Sequence, residues 1–241
     1  MRAGGVLGVM RALVLAIAGL AVIAPLSAQQ ITVDLGFVNA SGNANFTSLN
    51  LGEKLSNKLG RVVLTQNAKV LYGRTDSVTT TESYDAGARA QYGLTKRVGL
   101  YVLLTFQRDP FAGLASRWLG GPGLAVSLVQ SARDTLSIES GVTSTRERNT
   151  VNVTQSFAAA RTAASYKHLF AGKSFVTEAL EWVANLQTSD DQRLNSETAL
   201  TAPLSRQIGL RVSYLVRFDN QPQPGFKKTD RILTTGVQIA F

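Results

Sequence analysis

The chain has 241 residues, with 25 Lys and Arg against 16 Asp and Glu, one His and no Cys. The lack of cysteine excludes a disulfide scaffold, a thiolate zinc site and a cysteine nucleophile, and a single histidine excludes a His-clustered metal site. Charged residues make up 17%, below the roughly 25% of an ordinary soluble domain, and the length suits one domain or one large all-β barrel.

Residues 1–28 stand apart. Arg2 and Arg11 form a positive start, Ala12 to Ala24 is an apolar run broken only by Gly19, and Pro25-Leu26-Ser27-Ala28 supplies a helix breaker and small residues. This is the layout of a secretory signal peptide cleaved after Ala28, which leaves 29–241 as the mature domain. The apolar run is shorter than the ~20 residues of a spanning helix, and no later stretch reaches 18. An exported chain without further helices is either soluble or a closed barrel, the other structure that satisfies its backbone in lipid.

The remainder alternates. Ile31, Val33, Leu35 and Phe37 oppose Thr32, Asp34 and Gly36; Leu49, Leu51 and Leu55 follow. Val62, Leu64, Ala68, Val70 and Tyr72 oppose Val63, Thr65, Asn67 and Lys69. Tyr84 to Tyr92 sets alanines and tyrosines against Asp85, Gly87, Arg89 and Gln91, and Leu100, Val102, Leu104 and Phe106 come next. Further strands are expected at Trp118–Leu128, Leu136–Val142, Arg161–Tyr166 and Leu233–Phe241, with weaker ones at 174–187 and 192–202. The clearest is Gln207–Asn220, where Ile208, Leu210, Val212, Tyr214, Val216 and Phe218 share one face and Leu215 is the exception. Period two over this length is a strand signal, and a run of about 11 matches a tilted membrane strand.

The expected architecture is therefore all-β, an antiparallel transmembrane β-barrel of about 12 strands. Short connections are expected near 56–60, 95–97, 130–134, 168–173 and 203–206. Longer ones are expected near 41–45, 75–81, 108–115, 143–154, 188–191 and 220–228, the alternation seen in outer-membrane barrels. An even strand count puts both termini on the short-turn, periplasmic side. Phe37, Tyr72, Tyr84, Tyr92, Phe106, Trp118, Tyr166 and Phe218 sit near strand ends, where aromatic girdles belong. Ser174–Leu186 reads almost as well as a helix, and as a strand would turn Glu178 toward lipid. Pro122 removes a ladder donor, so a bulge or bend is expected there.

Several segments resemble an uncharacterised bacterial family, domain of unknown function 481, whose members are often labelled salt-induced outer membrane proteins. The resemblance runs through Ser41-Gly42-Asn43, Thr47 to Leu51, Asp109-Pro110-Phe111-Ala112-Gly113-Leu114, Arg117 and glycines 120, 121 and 123. It returns at Ser213-Tyr214, Phe218-Asp219-Asn220, Pro222 and Pro224 to Asp230, and ends at Phe241. Ala125-Val126 departs from the Gly-Tyr frequent in such proteins. The resemblance implies an outer-membrane barrel and supplies no catalytic residues. A C-terminal Phe ending an alternating strand also looks like the signal read by the barrel-insertion machinery.

Residue chemistry gives no support to an enzyme. His168 is expected in a short turn with no serine beside it in a hydrolase motif. Gly120-Gly121-Pro122-Gly123 lacks the ending of a phosphate loop. Basic residues are dispersed, against nucleic-acid binding, and Asp190-Asp191 reads as a solvated loop tip. No cofactor is implied.

The inward face is the candidate functional surface. Asp34, Asp85, Glu139, Glu181, Glu197 and Asp219 are expected there with Lys69, Arg89, Arg161, Arg211 and Arg217, a near balance that favours a paired interior. The preferred expectation is a non-enzymatic outer-membrane barrel with a filled lumen, acting in envelope integrity or salt and osmotic adaptation. The alternative is a narrow channel for small, anionic solutes lined by Arg89, Arg161, Arg211 and Arg217. A third reading is a surface-binding protein using loops 144–153 and 220–228. The expected partners are outer-membrane lipid and, during assembly, periplasmic chaperones and the insertion machinery; the solute of any channel is unknown.

Overall fold

The structure, a computed structural model, describes residues 29–40, 46–76 and 78–240. The segment 1–28 that reads as a signal peptide, the Ser41–Asn45 connection and Phe241 lie outside the described residues.

Among the described residues, twelve strands close into one antiparallel barrel in simple up-and-down order. They are β1 (Gln29–Ala40), β2 (Phe46–Leu59), β3 (Val62–Thr75), β4 (Val78–Gly93), β5 (Val98–Asp109) and β6 (Leu114–Gln130). Then follow β7 (Asp134–Asn149), β8 (Thr154–Leu169), β9 (Phe175–Asn185), β10 (Gln192–Pro203), β11 (Ile208–Asp219) and β12 (Thr229–Ala240). The seam between β1 and β12 pairs over Thr32–Leu35 and Val237–Ala240.

Burial is inverted relative to a soluble domain. Leu100, Val102, Leu104, Leu124, Val142, Leu210, Val212 and Leu233 are exposed, Leu233 at 68%, whereas inward Thr145 is at 0% and Arg161 at 9%. Along β11 the exposed positions are the apolar ones and the buried ones include Gly209 and Ser213. Leu215, the exception to the alternation, points inward and is buried. Only a surrounding that solvates hydrocarbon and a lumen that satisfies polar groups make this pattern favourable.

Ser174–Leu186, which reads almost as well as a helix, contains the expected strand: β9 spans Phe175–Asn185, and its alternation puts Glu178 on the outer face. There Glu178 accepts hydrogen bonds from Ser196 (2.7 Å) and Thr198, close to the β8–β9 turn, which makes the carboxylate tolerable. No bulge forms at Pro122. The β6–β7 register is the same at Gly120–Ser144 and Gly123–Gly141, and the ladder lacks only the pairs between them. The glycines allow this: a Cβ on Gly121 would lie 2.1 Å from the Val142 carbonyl oxygen. The β6–β7 irregularities fall elsewhere, at Leu114/Ser116 and Ser127/Val129.

The long connections expected at 75–81 and 143–154 are mostly strand. β4 begins at Val78, and β7 and β8 leave only residues 150–153 between them. Threonines at 79–81, 143 and 145 favour extended backbone, and the alternation continues outward through Arg146 and Arg148. Asn149 closes the short turn, accepting from the Val151 and Val153 amides at 3.1 and 2.8 Å. His168 is also strand rather than turn. It pairs with Asp134, with its Nδ1 2.7 Å from the carboxylate, and packs edge-on against Phe170.

We call the end bearing connections 60–61, 94–97, 131–133, 170–174 and 204–207 the turn end, and the opposite end the loop end. Tyr92 and Tyr166 lie toward the turn end of their strands, and Phe37, Tyr72, Tyr84, Phe106, Trp118 and Phe218 toward the loop end. Phe106 and Trp118 are direct cross-strand partners with ring centroids 4.8 Å apart.

Candidate functional site: the ion-paired lumen and its lid

Alternation sends a charged residue into the lumen at intervals along each strand, and register then decides which charges meet. One inner row runs Gln238, Asp34, Gly52, Lys69, Asp85, Gln107, Arg117, Glu147 across eight consecutive strands. Every member is polar, charged or glycine.

The pairs reach beyond neighbouring strands. Arg217 on β11 binds Asp85 on β4 at 2.7 Å, Asp109 on β5 at 3.1 Å and the Ser83 hydroxyl at 3.2 Å. β5 and β11 are six strands apart in a ring of twelve, so this side chain spans the lumen. Lys69 on β3 crosses to Glu197 on β10 at 3.4 Å, and Arg117 on β6 lies 3.7 Å from Asp219 on β11. The Arg217 and Lys69 bridges are part-buried and carry hydrogen bonds as well as charge, the condition under which such an ion pair is tolerated, while Arg117 meets Asp219 by charge alone.

All eight candidate residues stand in such pairs. Arg89 meets Glu139 at 2.8 Å; Arg161 meets Glu139 at 3.0 Å and Glu181 at 2.7 Å. Arg211 meets Glu197 at 2.9 Å and Asp34 at 3.7 Å. Asp219 is not joined to its near neighbour Arg217. It accepts from Arg193, its partner on neighbouring β10, at 3.1 Å instead, whereas Arg217 reaches across to β4 and β5.

Four luminal residues escape sequence reading: Asp109, Arg117, Glu147 and Arg193. Glu147 is the most enclosed carboxylate of the group, at 4%, and holds Arg117 at 2.7 Å and Arg193 at 3.1 Å. The signal was present, since Thr143, Thr145, Glu147 and Asn149 alternate with Ser144, Arg146 and Arg148. Asp191 is likewise not a solvated tip. It is buried, paired with Arg193 at 3.1 Å and accepting from Asn185 at 2.9 Å.

The β5–β9 side of the lumen is filled by apolar side chains, among them Leu103, Leu119, Phe157 and Val183. Tyr101 lies among them. The row through it reads Tyr101, Gly123, Gly141, Arg161, and a Cβ on Gly123 would sit 2.4 Å from the Tyr101 ring. The ring therefore lies flat over two glycines and meets Arg161, whose Nη1 donates to its hydroxyl at 3.2 Å, while the Arg89 guanidinium stacks 4.9 Å from the ring centroid.

Space remains on the opposite side. A cavity of about 210 Å³ borders Gly36, Gly52 and Gly236, with Asp34, Lys69 and Arg211. A second, of about 270 Å³, lies at mid-lumen between Lys69, Arg117, Arg193, Arg217, Glu181 and Glu197.

The loop end carries a lid. Connection 220–228 turns back over the mouth: the Asn149 amide donates to Gln223 at 2.8 Å, and Asn220 donates to the Asp190 carbonyl at 2.9 Å. Gly113, at φ 78°, lies under Phe226, and a Cβ there would come within 2.8 Å of the Phe226 ring. The segments 109–114 and 222–230, far apart in sequence, thus form one structure. Among the described residues no group of three acidic or imidazole side chains could hold a metal ion.

Comparison with protein families decides the membership. The profile of the family described as "Protein of unknown function, DUF481" matches residues 33–241. The chain belongs to the DUF481 family. No curated relative matches it. Among solved structures, this DUF481 chain is similar to the translocator domain of autotransporter NalP from Neisseria meningitidis. That match has 12% identity and a TM-score of 0.50, covering 97% of this chain and 96% of that one. It is also similar to the NanC porin, at 10% identity and a TM-score of 0.54, covering 86% of this chain and 98% of that one. At such identities the likeness shows the fold alone: an antiparallel barrel of the outer-membrane type.

Proposed function

We propose that this DUF481 chain is a non-enzymatic barrel of the bacterial outer membrane whose lumen is closed, contributing to envelope integrity under salt or osmotic stress. The observation that carries the reading is the Arg217 bridge to Asp85 and Asp109 on the opposite wall. Lys69–Glu197 crosses at a second level, the apolar cluster occupies one side, and the lid sits above. Ion pairs that cross a lumen stand in the path a hydrated solute would take, which supports a closed reading. His168 is committed to Asp134 at the outer face rather than paired with a serine, which favours a structural role. On this reading lipid is the constant partner and the assembly machinery a transient one, with the turn end in the periplasm.

A second reading rests on the two cavities. Joined by rearrangement of Lys69 and Arg211, which border the space against the Gly36, Gly52 and Gly236 wall, they would make a narrow path for small anions. A liposome-swelling assay with small sugars and small organic anions separates the two. The closed-lumen reading expects swelling at the rate of empty liposomes for every solute. Faster swelling selective for anions establishes the channel.

A further inference from the structure

The turn end carries a repeated feature that neither the lumen nor the lid uses. Four of its five turns place an exposed apolar residue two or three positions before an exposed cation: Leu59-Gly60-Arg61, Leu94-Thr95-Lys96-Arg97, Phe170-Ala171-Gly172-Lys173 and Leu204-Ser205-Arg206. The fifth has exposed Val129 followed by Arg133, and Lys58 adds a further cation beside the first.

Three of the turns are braced by a side-chain hydroxyl. Thr95 accepts from the Arg97 and Val98 amides at 3.1 and 2.9 Å, Ser131 from Arg133 and Asp134 at 3.3 and 2.8 Å, and Ser205 from Gln207 and Ile208 at 3.2 and 3.0 Å. The same hydroxyl brace, used in three of the five turns, fixes the backbone that carries Lys96, Arg97, Arg133 and Arg206. Acid is scarce there. Asp134 is the one carboxylate in or immediately beside the five turns among the described residues, and it is occupied by His168 and Tyr166, at 2.7 and 2.8 Å. The loop end is mixed instead, with Arg108 near Glu82 and with Asp190, Asp230 and Asp219 among its cations.

A soluble polyanion would be met by cations alone. Here an apolar side chain accompanies each cation at the edge of an apolar outer wall, the arrangement of a residue anchored at a membrane interface with its charge at the headgroups. We infer that the turn-end rim is a collar that binds the phosphates of anionic phospholipid headgroups in the leaflet it meets. The inference rests on the reading of a barrel seated in a membrane and is independent of whether its lumen conducts.

The test uses the refolded protein in nanodiscs of phosphatidylcholine and phosphatidylglycerol. Electron spin resonance of spin-labelled forms of each lipid reports which one contacts the barrel. The collar predicts a preference for phosphatidylglycerol of about threefold or more at low salt, reduced at high ionic strength. Lys96→Gln/Arg97→Gln/Arg206→Gln should bring it close to parity. The charge-matched loop-end variant Arg148→Gln/Lys227→Gln/Lys228→Gln should leave it in place. No preference in the unaltered protein, or equal loss in both variants, overturns the collar. Binding of polyglutamate that the turn-end variant loses, without lipid preference, overturns it in favour of a soluble acidic polymer. Heat-modifiable gel mobility checks folding; should the triple variant fail it, Lys96→Gln/Arg97→Gln and Arg206→Gln are read separately, and each must lower the preference.

Discussion

Arg161 of β8 donates from Nη1 to the hydroxyl of Tyr101 on β5 at 3.2 Å, across two intervening strands that carry only glycine at that level. Gly123 and Gly141 are what bring the two together: a Cβ on Gly141 would lie 2.4 Å from the Pro122 carbonyl oxygen and 3.0 Å from the Tyr101 hydroxyl. The contact joins the apolar half of the lumen to the ion-paired half, since the same guanidinium binds Glu139 and Glu181.

Filling this notch should be costly. Gly123→Ala is expected to destabilise the barrel by about 1–3 kcal/mol through overpacking, read as a lowered urea midpoint for the folded form. Tyr101→Phe keeps the ring and removes only the hydroxyl, so it should cost about 1 kcal/mol. Gly172→Ala, with nothing within 4 Å of the added atom, should be neutral.

Glu147 sets a second expectation. It is buried and holds two arginines, so Glu147→Gln leaves Arg117 and Arg193 short of negative charge. A loss of about 3–5 kcal/mol is expected for removing one partner of such a group. Glu82→Gln, at the half-exposed pair with Arg108 at 3.9 Å, should cost under about 1 kcal/mol. Equal losses in the same urea titration would mean that burial of the network adds nothing.

How much of this was legible beforehand follows from what alternation encodes. Period two tells which face a residue takes, so Asp34, Lys69, Arg89, Arg161, Arg211 and Arg217 can be assigned inward from Ile31–Phe37, Val62–Tyr72, Tyr84–Tyr92, Arg161–Tyr166 and Ile208–Phe218 alone. It says nothing of who sits opposite, because that depends on strand tilt and stagger around a closed ring. Hence Arg217 and Asp219, two positions apart on one face, take different partners: Arg217 crosses to β4 and β5, while Asp219 binds Arg193 on the adjacent β10. Glu147 and Asp109 were hidden for another reason: both lie where polar strand resembles loop, and only closure of β7 and β5 against their neighbours makes them luminal. At Pro122 the missing donor is visible in sequence and predicts a bulge or bend, whereas the glycine-paved approach of β6 to β7 is not visible there.

Orientation is testable because the chain has no cysteine. Single cysteines at Gln221, in the lid, and at Ala171, in a turn, give two reporters on an otherwise silent background. With the turn end in the periplasm, a membrane-impermeant maleimide should label Gln221→Cys in intact cells, and Ala171→Cys only after the outer membrane is permeabilised. The reverse pattern would invert the barrel.

The trans-lumen bridges should also be what keeps the barrel closed. Arg217→Ser with Lys69→Ser removes two of the cations that span the lumen, leaving Asp85 and Asp109 facing open space and Glu197 with Arg211 alone. Such a variant should pass cations, because the charge left behind is negative. Reversal potentials under a salt gradient report the sign, and anion selectivity would show that other groups govern the path.

The most direct measurement is single-channel recording of the unaltered protein in a planar bilayer, with folding verified by heat-modifiable mobility. A closed lumen predicts an electrically silent barrel that acquires discrete conductance steps only in the Arg217→Ser/Lys69→Ser variant. Reproducible steps from the unaltered protein would contradict it, and would make the inward arginines the first candidates for a selectivity filter.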